Sequence, residues 1–171
     1  MMTEQVLTYY LSLGSNLEDR VGNLKEAVRL IGERDVSILK RSSLYKTEPL
    51  DFTDQPYFYN CVLKTKSTLS PLEFLEEIEA IEKNLGRQRL RDNGPRIIDI
   101  DILFAGDRVM RTESLTVPHP RLHLRNFVLY PLLEIAPSML HPVLKKTIRR
   151  ICREGEGKGE FLLLELYPGW P

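Results

Sequence analysis

Two aspartates on one short strand, with four arginines just ahead of them, are the residues of this sequence best suited to chemistry. The run Ile97-Ile98-Asp99-Ile100-Asp101-Ile102-Leu103-Phe104 alternates strictly, so Ile98, Ile100, Ile102 and Phe104 are expected on one buried face. Asp99 and Asp101 then share the opposite face, with Cα atoms roughly 7 Å apart. Strands disfavour aspartate, and two like charges this close repel unless a cation is shared. Hard oxygen ligands so placed suit Mg²⁺ held jointly by protein and phosphate oxygens. The competing reading, an amphipathic strand with both carboxylates in water, is common.

Upstream, Arg87, Arg89, Arg91 and Arg96 fall within ten residues and only Asp92 offsets them. Guanidinium groups stay charged and match phosphate oxygens with a planar fork. Alone, such a run reads as a solvated loop; beside the aspartate pair it reads as the cationic half of a polyphosphate-transfer site. Glu79 and Glu82 lie close enough to orient these arginines or meet a nucleotide, although exposed helix carboxylates look the same. Neither the G-x-x-x-x-G-K-[ST] loop nor the dinucleotide fingerprint is present, so phosphates must be held by side chains and metal. His119 and His123 have the i, i+4 spacing of a zinc pair, but Pro118 and Pro120 argue against a helix there, and His119 beside Arg121 and Arg125 suits phosphate better. Phe58 and Asn60 share one strand face, an aromatic ring next to an amide, as a flat heterocycle requires.

The elements that must position these groups are legible in outline. Val6–Leu13, Val36–Lys46, Tyr57–Lys66 and Arg96–Phe104 read as strands. A first helix carries Leu24, Ala27, Val28 and Ile31, with Asn16 and Asp19 as its capping pair. Ser70-Pro71-Leu72-Glu73 starts a second, whose apolar face is Phe74, Ile78, Ile81 and Leu85 and whose stop is Gly86. Thr47–Pro56 and Arg87–Pro95 read as loops, Phe127–Ala136 as a helix, and a shorter helix lies in the Lys145–Arg153 region. The order predicts an α+β domain with helices on one face of a mainly antiparallel sheet. The tail from Glu154, with its apolar patch Phe161–Leu166, has no assignable role.

The totals bound the function. The 171 residues suit one domain, 1–171, with no linker or repeat to divide it. Lys and Arg (24) balance Asp and Glu (24), so no net field draws the chain to nucleic acid or an anionic membrane. Two cysteines make no disulfide framework, and no leader or membrane-length apolar run is evident, which predicts a cytoplasmic protein.

Leu13-Gly14-Ser15-Asn16, Thr47-Glu48-Pro49, Asp54-Gln55-Pro56 with Asn60, Gly94-Pro95-Arg96 running into Asp99-Ile100-Asp101, and Val117-Pro118-His119-Pro120 with Phe127-Val128-Leu129 occur in this order. Together, over about Tyr10 to Pro137, they resemble the 6-hydroxymethyl-7,8-dihydropterin pyrophosphokinases of folate biosynthesis. The resemblance implies a ferredoxin-like βαββαβ core, with the later helices added to it. It implies transfer of pyrophosphate from ATP to the hydroxymethyl group of the pterin, with two Mg²⁺ ions and small-molecule partners only, by a monomer. It implies Asp99 and Asp101 as metal ligands, with Asp99 also near the attacking hydroxyl and Arg87 and Arg96 catalytic. Thr47, Glu48, Leu50, Phe58, Asn60, Asp99 and Phe127 would bind the pterin. Glu79, Glu82, Arg87, Arg89, Arg96, Ile102, Thr116, His119 and Arg125 would bind ATP. Asn93 stands where many members carry Trp, Ser114 where some carry Arg, and the arginine loop is one residue shorter than in some. Two rivals are an RNA-binding module stacking bases on Tyr57 and Tyr59, and a silent relative; zero net charge opposes the first, and intact Asp99, Asp101 and Arg96 the second.

Overall fold

The computed structural model describes residues 5–50, 53–86, 94–159, 161–164 (as backbone) and 170. Strand β1 (Leu7–Ser15) leads to helix α1 (Arg20–Gly32), then β2 (Val36–Arg41), β3 (Leu44–Thr47) and β4 (Phe58–Ser67). Helix α2 (Pro71–Asn84) and strand β5 (Asp99–Ala105) complete the core. A small ribbon, β6 (Met110–Arg111) with β7 (Thr116–Val117), precedes α3 (Asn126–Ile135), α4 (Ile148–Glu154) and β8 (Phe161–Leu164). The main sheet runs β5-β1-β4-β3-β8 with β2 also on β4, and every pairing is antiparallel. This is the ferredoxin-like arrangement, in which β2 and β3 divide one strand position between them.

That division differs from the single strand expected over Val36–Lys46. The ladder is interrupted at Ser42 and patched by it: Ser42 N donates to Val62 O and Val62 N donates to Ser42 Oγ, both at 2.9 Å. Buried backbone groups must find partners, and a serine hydroxyl supplies the one the ladder lacks. Helix α1 also starts later than expected, with Asp19 as its cap, accepting from Gly22 N. Helix α2 begins as its sequence predicts: Ser70 Oγ accepts from Glu73 N and Glu73 Oε2 from Ser70 N.

Helices cover both sheet faces, not one. Leu11, Leu13, Cys61, Ile100 and Ile102 join α1 (Leu24, Ile31) and α2 (Phe74, Ile78, Ile81) in one core. Tyr10, Val62, Leu103 and Phe104 join α3 (Val128, Leu129, Leu132) and α4 (Ile148, Ile151) in the other. Phe104 thus lies opposite Ile100 and Ile102, contrary to strict alternation. The cause is a β-bulge: Leu11 pairs with Ile102 and Tyr10 with Phe104, which leaves Leu103 as the extra residue.

His141 is buried at the edge of the second core, where its Nδ1 accepts from Val143 N and Leu144 N, both at 3.2 Å. Burial pushes its imidazole down to about 4, with His123 adding to the shift. The unfolded chain takes up this proton near pH 6.5, whereas the folded chain resists until about 4. Stability is therefore full above pH 6.5 and lost as the pH falls towards 4. His141→Asn, which keeps an acceptor for the two amides, is expected to make that acid loss shallower in urea titrations run from pH 7 to 4. An unchanged slope would discount His141 as its source.

Candidate active site

The site begins with a row of residues across the sheet. Gly14 pairs with Asp99 on one side and Asn60 on the other, and Asn60 pairs with Tyr45. Residues in such a row project to the same face, so Asp99 and Asn60 stand on either side of a glycine. A Cβ on Gly14 would lie 2.6 Å from Asn60 Oδ1 and 3.5 Å from Phe58 Cδ1, so this position admits no side chain. Asn60 is buried and donates from Nδ2 to the buried Thr47 Oγ1 at 2.6 Å, while Thr47 pairs with Phe58 along the ladder. Four residues expected from sequence at the heterocycle (Thr47, Phe58, Asn60, Asp99) are thus brought together.

Asp101 pairs with Ser12 and shares the Asp99 face, as the alternation predicts. It lines a cleft of ≈ 300 Å³ together with Glu79, Glu82, Ile102, Thr116 and His119. Five residues expected at the nucleotide therefore surround one cavity, along with Ser114, Leu115 and Pro120, which were not all anticipated. Glu82 has a structural task as well: its buried carboxylate accepts from Ile100 N at 2.7 Å, which pins α2 to β5 between the two aspartates. The bulge places the histidine, since His119 N donates to Leu103 O at 2.9 Å. Burial pushes His119 down to about 4, helped by the charges of Arg125 and Arg121 and opposed by Asp99. Its Nδ1 accepts from Arg121 N at 3.2 Å, so the neutral ring carries its proton on Nε2, available as a donor. His123 turns instead towards His141.

Arg96 is the cation at the junction. Its guanidinium meets Asp99 Oδ2 at 3.0 Å, lies 5.7 Å from the centre of the Phe58 ring, and keeps a buried Nε with no partner among the described residues. Its backbone is held by Asn16, which sequence reading had assigned to a helix cap. Asn16 Oδ1 accepts from Arg96 N (2.9 Å), and Asn16 N donates to Arg96 O (3.2 Å). Asn16 Nδ2 donates to Gln55 Oε1 and Pro56 O. One buried amide thereby ties β1, the loop before β4 and the approach to β5. Its place in a Gly-Ser-Asn turn looks like a helix start, which hid this role. Arg125 sits 5.5 Å over the Phe127 ring at the start of α3. Arg87, Arg89, Arg91 and Asn93 lie outside the described residues.

Among the described residues no three of His, Cys, Asp or Glu form a metal cage. Two carboxylates on one strand face, of which Asp101 lines the cleft, fit a different case, a Mg²⁺ ion that completes its shell with phosphates and water. Fold and site together define an α+β enzyme of nucleotide-dependent phosphoryl chemistry. The comparisons sharpen this. The profile of the 7,8-dihydro-6-hydroxymethylpterin-pyrophosphokinase (HPPK) family matches residues 10–137. The 2-amino-4-hydroxy-6-hydroxymethyldihydropteridine pyrophosphokinase of Aquifex aeolicus is 44% identical over 147 residues, 86% of this chain and 91% of that protein. Folic acid synthesis protein fol1 of Pneumocystis carinii is 46% identical over 134 residues, 78% of this chain but 18% of that much longer protein. The wild-type Plasmodium falciparum HPPK-DHPS solved with pteroate has the same fold (TM-score 0.71, 19% identity), over 88% of this chain and 42% of that one. The chain belongs to the HPPK family.

Proposed function

We propose a division of labour among these residues for the reaction of the family, in which ATP gives its pyrophosphoryl group to the hydroxymethyl group of 6-hydroxymethyl-7,8-dihydropterin. The chain is accordingly an ATP-dependent diphosphotransferase of folate biosynthesis, acting on small molecules, with ATP as co-substrate. One observation carries the assignment of residues: β5 presents Asp101 to the cleft and Asp99 to the Gly14–Asn60 row, so a single strand joins the two half-sites. Phe58 and Phe127 hold the pterin ring, and Thr47, Asn60 and the backbone of Glu48 and Leu50 bond its edge.

Glu79, Ile102, Thr116 and His119 receive the nucleotide in the cleft, with Arg125 and, outside the described residues, Arg87 and Arg89 as further nucleotide contacts. Asp99 and Asp101 would hold two Mg²⁺ ions, which would neutralise charge on the triphosphate. Asp99 lies beside the attacking hydroxyl. Arg96, already between Asp99 and Phe58, faces the β-phosphate as it moves, together with Arg87. The neutral His119 donates from Nε2 to a phosphate oxygen. The proposal extends to a monomer in the cytoplasm; free Cys61 and Cys152 suit a reducing compartment. The RNA-binding alternative fits less well, because the Arg20 guanidinium lies 4.2 Å over the Tyr59 ring and occupies a face on which a base would stack. The chain incubated with ATP, Mg²⁺ and the pterin alcohol is expected to release AMP, one per pterin consumed. ADP as the product would overturn the reading.

A further inference from the structure

The stretch beyond residue 137 lies outside the family match, yet part of it contacts Leu50 and Asn126, the residue before Phe127. Past α4 the chain returns to the start of α3: Lys158 N donates to Leu124 O, and Asn126 N donates to Lys158 O, both at 3.0 Å. The Asn126 side chain then donates from Nδ2 to Gly159 O at 3.0 Å. Gly159 has φ +95, and a Cβ there would lie 2.8 Å from Leu50 Cδ2. Gly157 is pressed as closely on Asn126 itself, where a Cβ would lie 2.1 Å from Oδ1. Beyond, β8 runs along the free edge of β3, pairing Phe161 with Thr47 and Leu164 with Leu44. Asn126 is thus bonded to a glycine whose other neighbour is Leu50, and Asn126 itself precedes Phe127.

We propose that Asn126 is a positioning residue for the heterocycle, setting Phe127, which holds the ring, relative to Leu50, whose backbone bonds the ring's edge, through its bond to Gly159. The inference rests on the reading that Phe127 holds the pterin ring and the Leu50 backbone bonds its edge. The nucleotide cleft is lined from α2, β5 and the segment Ser114–Pro120, none of which the Gly157–Gly159 contacts reach. Among the described residues only Arg125, bridged to Lys158, links this segment to the nucleotide side, so the effect is expected to fall mainly on the pterin. Two adjacent glycine contacts tighter than a methyl group allows leave little freedom for another arrangement.

The test uses the full chain and initial rates against each substrate in turn. Asn126→Ala and the isosteric Asn126→Asp are expected to raise the KM for the pterin alcohol about tenfold, the scale of one lost buried hydrogen bond, with the KM for ATP within about twofold. Gly159→Ala, which keeps the Asn126 side chain but strains the backbone at φ +95 and pushes on Leu50, is expected to give the same split. An unchanged pterin KM in these variants, an equal rise in both KM values, or loss of the folded state in all three overturns the inference. Phe127→Ala separates the two failures. If it raises the pterin KM while Asn126→Ala does not, only the positioning role falls; if it has no effect, the pocket itself has been misassigned.

Discussion

Replacement of Asp101 by asparagine is expected to lower turnover about 10³-fold, roughly 4 kcal/mol of barrier, while the protein stays folded. The side chain is partly exposed at the mouth of the cleft, whereas its flanking residues Ile100 and Ile102 are buried and keep β5 in place. Asparagine preserves the shape but removes the negative charge that two like carboxylates would otherwise share with a divalent cation. The loss should therefore appear in single-turnover AMP formation and in the Mg²⁺ concentration needed for half-maximal rate. The far-ultraviolet spectrum should not change. Near-normal turnover would sink the metal assignment, and with it the link that β5 makes between the two half-sites.

Arg96→Ala is expected to cost about 10²- to 10³-fold in kcat/KM, the scale of removing one preorganised charge from a transition state. Arg96→Lys should recover little. A lysine ammonium is a point charge and cannot serve Asp99 and a phosphate oxygen with one planar fork. The guanidinium is held ready for this: its backbone is bonded at both N–H and C=O by Asn16, and its Nε is buried without a partner among the described residues. Little stability should be lost in either variant, because the Arg96–Asp99 pair is partly exposed, with 20% and 24% of the side chains accessible, and such pairs contribute little. Comparable kcat/KM for Arg96→Ala and the unaltered chain would remove Arg96 from the chemistry.

What could be read from the residues follows how local each cause is. The capping box of α2 is complete within four residues, and Asp99 and Asp101 share a face because of strand period alone. Both were legible. The bulge at Leu103 depends on how β1 and β5 pair, so the alternation placed Phe104 on the wrong face. Asn16 bonds groups as distant in sequence as Gln55 and Arg96, while the residues around it suggest a cap. The break at Ser42 is invisible for the same reason: its repair lies on β4. Strand β8 was read only as an apolar patch, since an edge strand is defined by the edge it joins. The nucleotide and pterin residues were reached through motif resemblance, and the structure gathers Glu79, Glu82, Ile102, Thr116 and His119 around one cleft.

Gly14 has a metrical consequence. Adjacent strands are held about 4.8 Å apart by their backbone hydrogen bonds, so Asn60 and Asp99, one strand away on either side, are anchored about 10 Å apart. The interval between them is kept bare by a residue that has nothing to put there. In the proposed binding mode this gauge measures the substrate from its amide-bonded edge to its reactive arm. Because peptide geometry sets the interval, exchanging side chains elsewhere can change what lies along it but not its span.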